Sequence, residues 1–148
     1  MIPFVSTVSE LVEVKKIVAA AGLYRSSNFK LFMMVEIPSN VILLDDFLDV
    51  GIDGVSIGSN DLTMLILGTD RDNSEVASQF DERNPAVMWA LEKTIRTCAK
   101  RAILCGIYGQ APSVYPELVE KLVDWGITSI SVNPDAIGRT RQIIHDAE

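Results

Sequence analysis

The chain has 148 residues, 48% of them apolar, which is enough for one globular domain with a sizeable core. Its net charge of −7 argues against nucleic acid or an anionic membrane surface as a partner. No apolar run approaches the roughly 18 residues of a membrane-spanning helix, and no basic-then-apolar signal peptide is recognisable. The two cysteines, Cys98 and Cys105, lack metal or redox spacing, so we expect a cytoplasmic protein.

The first part of the chain alternates strand-like and helical patterns. A strand is predicted over residues 2–5, followed by a helix over 8–21, where Thr7 and Glu10 form a capping box. A second strand over 32–37 leads into a helix over 39–50, with Gly51 as its stop signal. These segments are two successive strand–helix units.

Three further units follow in the same order. A third strand covers 55–57, and its helix begins late, with Asn84 as the cap and Pro85 at the first helical position. A fourth strand is predicted over 102–107 with a helix that begins at Pro116 and ends before Gly126. A fifth strand is predicted over 129–132, with a terminal helix from Asn133 onward. Five strand–helix units predict an α/β fold with a parallel sheet, in a single domain over 1–148.

One connection, over residues 58–83, is longer than compact domains usually contain. It shows little periodicity apart from a short run over 62–67, and it carries charged stretches at 69–72 and 81–83. Connections of this length are often functional, although a solvated loop is the plainer interpretation.

Polar side chains cluster where two of the predicted strands end. Glu36 is the only charge in the second strand, and Gly58, Ser59, Asn60 and Asp61 form a polar turn after the third. Ligands of parallel α/β folds bind at the carboxyl ends of the strands. Glu36 and Asp61 could therefore hold Mg²⁺, which takes one or two carboxylates plus water or substrate oxygens. The alternative is that Glu36 pairs with a buried arginine and Asp61 caps the turn.

Six motifs, spread in order over nearly the whole chain, resemble one family of enzymes. That family contains phosphoenolpyruvate synthase, pyruvate phosphate dikinase and enzyme I of the sugar phosphotransferase system, which share a pyruvate-binding barrel. The motifs are Met1-Ile2-Pro3-Phe4-Val5, Met34-Val35-Glu36-Ile37-Pro38-Ser39-Asn40, Ser56-Ile57-Gly58-Ser59-Asn60-Asp61-Leu62-Thr63, Phe80-Asp81-Glu82-Arg83-Asn84-Pro85-Ala86-Val87, Gly109-Gln110-Ala111-Pro112-Ser113 and Ser129-Ile130-Ser131-Val132-Asn133-Pro134-Asp135.

The resemblance implies a partial (β/α)8 barrel, in which this chain supplies strands four to eight. Full barrels of this type need about 250 residues. The first three units, with the arginines that grip phosphoenolpyruvate, would be missing, as would the nucleotide-binding and phosphohistidine domains. The family enzyme passes a phosphoryl group from ATP through a histidine to pyruvate. His145 does not match the phosphohistidine motif, and we expect it to be solvated.

The resemblance also assigns roles within the chain. It implies Glu36 and Asp61 as ligands of Mg²⁺, and Gly58, Ser59 and Asn60 as contacts of pyruvate or phosphoenolpyruvate.

At two positions the chain departs from the family pattern. Tyr108 stands where the family has its acid/base cysteine, and Met64 replaces a glutamine. Cys105 lies three residues before Tyr108, so strand alternation points it to the opposite face, where it cannot take over the role.

These departures leave several functions open. The chain is expected to be a fragment or degenerate relative of phosphoenolpyruvate synthase with little activity alone. A metal-dependent pyruvate aldolase or lyase is one alternative, and a non-catalytic binding or assembly subunit is another. Because five strands cannot close a barrel, we expect a homo-oligomer, or a partner that supplies the rest of the barrel.

Overall fold

The computed structural model describes residues 1–147, in which parallel strands form one four-stranded sheet. The strands, adjacent in chain order, are β1 (Phe32–Val35), β2 (Gly54–Gly58), β3 (Leu104–Tyr108) and β4 (Ser129–Ile130). The register pairs Val35 with Ile57, and Gly58 with Tyr108. The carboxyl ends of β1, β2 and β3 therefore lie side by side.

Eight α-helices connect and flank these strands over residues 1–147. They are α1 (Val8–Ala20), α2 (Pro38–Ile42), α3 (Leu44–Asp49), α4 (Ser59–Leu67), α5 (Pro85–Lys100), α6 (Ala111–Val114), α7 (Pro116–Trp125) and α8 (Ile137–Ala147). None of the helices in this described range is long and apolar enough to cross a membrane.

The two faces of the sheet differ in burial. Met33, Val55 and Cys105 lie on the face that is fully buried in the core, as strand alternation requires. On the other face, Phe32 and Tyr108 are only half-buried. An α/β fold with parallel strands is thus confirmed, and one face of its sheet remains partly uncovered.

The predicted strand over 2–5 is wrong in extent. Ile2 forms a single parallel bridge with Met33, and the chain leaves the extended conformation at Phe4, whose φ is +50°. A positive φ is incompatible with a continuing ladder. Over residues 1–147, the sheet therefore has four strands and one isolated bridge in place of the five predicted strands.

The predicted helix over 39–50 is divided into α2 and α3. Leu43 departs from helical geometry, with φ −104° and ψ 29°, although its N–H still donates to the carbonyl of Ser39. The break turns the chain so that Val41 and Phe47 both reach the core.

The predicted fifth strand, over 129–132, is shorter than expected. Ser131 still donates its N–H to the carbonyl of Ile107, but the N–H of Asn133 donates to the Ser113 hydroxyl instead of a strand. That hydrogen bond draws the chain away from the sheet edge. The fourth strand begins at Leu104 instead of residue 102, because Ala102 has a φ of +53°.

The predicted irregular connection over 58–83 is also wrong in its first part, where a tight turn was expected and a helix is found. Ser59 begins α4 directly after β2, and the helix runs for nine residues to Leu67. Gly68, with φ +60°, ends it in the left-handed region that glycine adopts easily. The irregular connection is therefore limited to residues 68–84, with one 3-10 turn at Ala77–Gln79.

Candidate functional site

Glu36 follows β1 directly and is 2% exposed, as expected for a carboxylate at the mouth of the strand. Its Oε2 accepts the N–H of Phe4 at 3.1 Å, and its Oε1 accepts the hydroxyl of Tyr108. No lysine, arginine or histidine within residues 1–147 forms an ion pair with it. The alternative of a buried arginine partner is therefore wrong.

Asn40 holds the backbone around this glutamate. Its Oδ1 accepts the N–H groups of Glu36 and Ile37, and its Nδ2 donates to the carbonyl of Val5 at 2.7 Å. Asn40 is fully buried, so these bonds are shielded from water. The sequence motif contained Asn40, but its role became visible only in the three-dimensional contacts.

The four residues predicted after the third strand form the start of α4. Gly58 is its N-cap, and Ser59, Asn60 and Asp61 make up its first turn. Backbone N–H groups in the first turn of a helix lack intrahelical acceptors and carry a partial positive charge. This end of the helix therefore favours an anionic group, such as a carboxylate or a phosphate.

Two glycines allow neighbouring groups to approach this turn closely. A Cβ on Gly58 would lie 2.8 Å from Cγ of Glu36, and closer still to the hydroxyl of Tyr108. A Cβ on Gly109 would collide with Oγ of Ser59, and Gly109 also has a φ of +130°. Glycine is needed at both positions, because any side chain would push the site apart.

The hydroxyl of Ser59 is fully buried and makes no hydrogen bond to any residue within 1–147. Most buried polar atoms in proteins have a partner, so an unpaired hydroxyl needs an explanation. It lies in the first turn of α4 under Gly109 and close to the Glu82 carboxylate, although without the geometry of a hydrogen bond.

Asn60 connects the turn to two charged residues of the long connection. In the amide orientation assigned from its neighbours, its nitrogen donates to Oε1 of Glu82 at 3.1 Å and its oxygen accepts from Nη1 of Arg71 at 2.8 Å. Burial raises the pKa of Glu82, and the nearby Ser59 hydroxyl and Arg71 charge offset part of that shift. Sequence reasoning noticed both charged stretches without assigning these residues to the site.

Tyr108 ends β3 beside Gly58 and faces the site, as the strand register requires. Burial raises the pKa of its phenol, and the hydrogen bond to Glu36 and the charges of Glu36 and Asp61 raise it further. The phenol therefore stays protonated and donates its hydrogen. Cys105 points to the opposite face, into the core, where the neighbouring Cys98 thiol and burial both raise the pKa of its thiol. The expectation that Cys105 and Tyr108 lie on opposite faces of the strand is confirmed.

Asp61 is only partly buried, and within residues 1–147 its side chain makes no hydrogen bond or ion pair with another residue. The charge of Asp61 contributes to the raised pKa of the Tyr108 phenol, so Asp61 lies near that end of β3. Asp61 does not cap the helix through its side chain, so that alternative is wrong as well.

The chemistry of these donors fits a hard divalent cation. The described residues contain no group of three or more acidic, histidine or cysteine side chains that could hold a metal alone. Mg²⁺ requires fewer protein ligands, since one or two carboxylates with water and substrate oxygens complete its coordination. Glu36 and Asp61 could hold it, with substrate oxygens or water completing its coordination.

Residues 1–148 match the family model described as "PEP-utilising enzyme, PEP-binding domain". The chain belongs to this family of PEP-utilising enzymes. The resemblance drawn from the six sequence motifs is thereby confirmed.

Curated relatives in the PEP-utilising family are similar along the whole chain. A phosphoenolpyruvate synthase of Aeropyrum pernix is 51% identical over 150 residues, covering 100% of this chain and 18% of the relative. A phosphoenolpyruvate synthase of Helicobacter pylori is 51% identical over 138 residues, covering 93% of this chain and 17% of the relative. The chain thus spans less than a fifth of the length of the relatives that it matches.

A pyruvate kinase from Cryptosporidium parvum has a similar fold. Its crystal structure superposes with a TM-score of 0.73 at 16% identity, covering 97% of this chain and 30% of that one. This likeness shows the fold alone, and it agrees with the predicted partial (β/α)8 barrel.

Proposed function

We propose that this chain forms part of a site for Mg²⁺-dependent phosphoryl transfer to the enolate of pyruvate, giving phosphoenolpyruvate. The reaction is that of a pyruvate, water dikinase. One observation carries the proposal: Glu36 and Asp61 follow adjacent parallel strands and have no cationic partner among residues 1–147. Membership in the PEP-utilising family and 51% identity to phosphoenolpyruvate synthases support it.

Each residue of the site has a distinct task in this proposal. Bound Mg²⁺ would neutralise negative charge that develops on the enolate oxygen. Glu36 and Asp61 would hold the cation, while the N–H groups at the start of α4 would bind the carboxylate of pyruvate. Ser59 and Asn60, in the first turn of α4, are proposed to orient the substrate, and Gly58 allows its close approach.

The remaining parts of the reaction need protein beyond this chain. ATP and the phosphohistidine of the family reaction are proposed to act in the longer enzyme, because this chain covers only 18% of a relative such as that of Aeropyrum pernix. One face of the sheet, which includes Phe32 and Leu104, is partly exposed. We infer that the remaining barrel strands or a second copy of the chain pack against this face. Both cysteines are free and buried, which agrees with a cytoplasmic location.

A second candidate function is a binding or assembly module without catalysis. Tyr108 favours it, because a phenol replaces the acid/base cysteine of the family and donates a hydrogen bond to Glu36. The match to one family over residues 1–148 argues against the pyruvate aldolase alternative.

Cation binding tests the metal part of the proposal. Mn²⁺ replaces Mg²⁺ as a probe whose free and bound forms differ in electron paramagnetic resonance. We expect one Mn²⁺ per chain, lost in both Glu36→Gln and Asp61→Asn and retained in the control Glu75→Gln, which changes an exposed carboxylate. Unchanged Mn²⁺ binding in Glu36→Gln and Asp61→Asn would contradict the site.

Exchange of the pyruvate methyl protons separates the enzyme from the binding module. The chain is incubated with pyruvate and Mg²⁺ in deuterated water, and the methyl signal is followed by proton magnetic resonance. If the methyl protons exchange only when Mg²⁺ is present and Glu36 is intact, the site enolises pyruvate. Binding of Mn²⁺ and pyruvate without exchange supports the module instead.

A further inference from the structure

Tyr108 occupies the centre of the proposed site. Its hydroxyl donates to Oε1 of Glu36 and lies over Gly58, so close that a Cβ there would collide with it. The space that the glycine opens at the start of α4 is thus filled by the phenol.

The carboxylate of Glu36 is enclosed in this arrangement. Oε2 accepts from the Phe4 N–H, Oε1 accepts from Tyr108, and the residue is only 2% exposed, so a cation has no open approach to it while the phenol is in place. The Phe4 donor is backbone and cannot rotate away. The Tyr108 side chain is partly exposed and lies on the less covered sheet face, so it can move towards solvent.

We propose that the Tyr108 hydroxyl competes with the divalent cation for Glu36, so that cation binding requires Tyr108 to swing out of the site. The inference rests on the proposed function, since it assigns a regulating role to a residue of the same site. Tyr108 is then a positioning residue that keeps the site closed when no cation is bound. A charge-assisted hydrogen bond is strong enough to weaken cation binding about tenfold.

The test compares Mn²⁺ dissociation constants of the wild-type chain and Tyr108→Phe by electron paramagnetic resonance. Phenylalanine keeps the ring and removes only the hydroxyl. We expect Tyr108→Phe to bind Mn²⁺ about tenfold more tightly. Tyr24→Phe is the matched control, because Tyr24 is 67% exposed and lies outside the site, and its dissociation constant should equal that of the wild type.

A spectroscopic readout reports the movement itself. Adding Mg²⁺ to the wild type should change the near-ultraviolet absorbance of one tyrosine as the phenol leaves Glu36. That change should be absent in Tyr108→Phe and retained in Tyr24→Phe.

The outcomes separate this inference from the proposed function. If the wild type and Tyr108→Phe bind Mn²⁺ with equal affinity, Tyr108 does not compete with the cation and the inference is wrong. If Glu36→Gln also abolishes Mn²⁺ binding in both backgrounds, the metal site itself still stands. Weaker binding in Tyr108→Phe also overturns it, because the hydroxyl then supports Glu36 as a ligand. Absence of Mn²⁺ binding in every variant, each with wild-type circular dichroism, overturns both proposals.

Discussion

Replacing Gly58 by alanine tests the packing on which the site depends. The new Cβ would lie 2.8 Å from Cγ of Glu36 and 2.9 Å from Cζ of Tyr108, and nearer still to the phenol oxygen. Gly58 has a φ of −89°, so alanine meets no backbone strain there and the cost comes from overpacking alone.

The size of the effect follows from which neighbour can move. Glu36 is 2% exposed and is held by the Phe4 N–H, whereas Tyr108 is partly exposed, so Tyr108 moves and its hydrogen bond is lost. Overpacking of this kind costs about 1–3 kcal/mol. We therefore expect Gly58→Ala to lower the free energy of unfolding by about 2 kcal/mol.

Urea and thermal denaturation followed by circular dichroism measure this change. For a chain of this size, about 2 kcal/mol lowers the Tm by roughly 6 °C. Gly138→Ala is the matched control, because no atom lies within 4 Å of its added Cβ and Gly138 is in α8. That control should be stabilised by about 0.5 kcal/mol, since alanine favours the helix.

A double-mutant cycle with Tyr108→Ala identifies the contact responsible. Gly58→Ala should cost about 1 kcal/mol less in the Tyr108→Ala background, because one of the two colliding side chains is gone. Equal costs in both backgrounds, or a Gly58→Ala variant as stable as the wild type, would refute this account of the packing.

Two further changes test other features of the fold. The pKa of Glu82 is raised in the folded state, so its contribution to stability is complete below about pH 4.3 and is lost as pH rises through the raised value. The free energy of unfolding of the wild type, measured by urea denaturation, should therefore fall between pH 4 and pH 7 relative to that of Glu82→Gln. If the difference between the two proteins stays constant over this range, burial does not raise the pKa of Glu82. Ala102→Gly should raise the free energy of unfolding by about 0.5 kcal/mol, because Ala102 has a φ of +53° at the end of α5. The control Ala99→Gly, inside α5, should lower the free energy of unfolding by about 0.5 kcal/mol or more. If both variants change stability in the same direction, the positive φ of Ala102 does not explain its effect.

The candidate site was predictable to the extent that its residues are adjacent in sequence. Gly58, Ser59 and Asp61 follow one strand, and the parallel topology brings that strand end beside Glu36. The contacts of Glu82 and Arg71 with Asn60 were not predictable, because they cross the irregular segment over 68–84, where no periodicity fixes direction.

Two of the predicted elements failed for the same physical reason. The strand over 2–5 and the helix over 39–50 each had a suitable apolar pattern, yet Phe4 and Leu43 adopt dihedral angles that interrupt them. In both places, packing of neighbouring residues into the core outweighs local propensity.

By itself, the sequence determined the fold class and the family. The alternation of strand and helix patterns determines the fold class, and the order of six motifs determines the family. Both signals depend only on local periodicity and residue identity. Only the tertiary structure decided that the Tyr108 hydroxyl binds Glu36, that Asn40 holds the glutamate backbone, and that Ser59 keeps an unpaired hydroxyl. Each of these depends on distances between side chains from different segments, which packing sets.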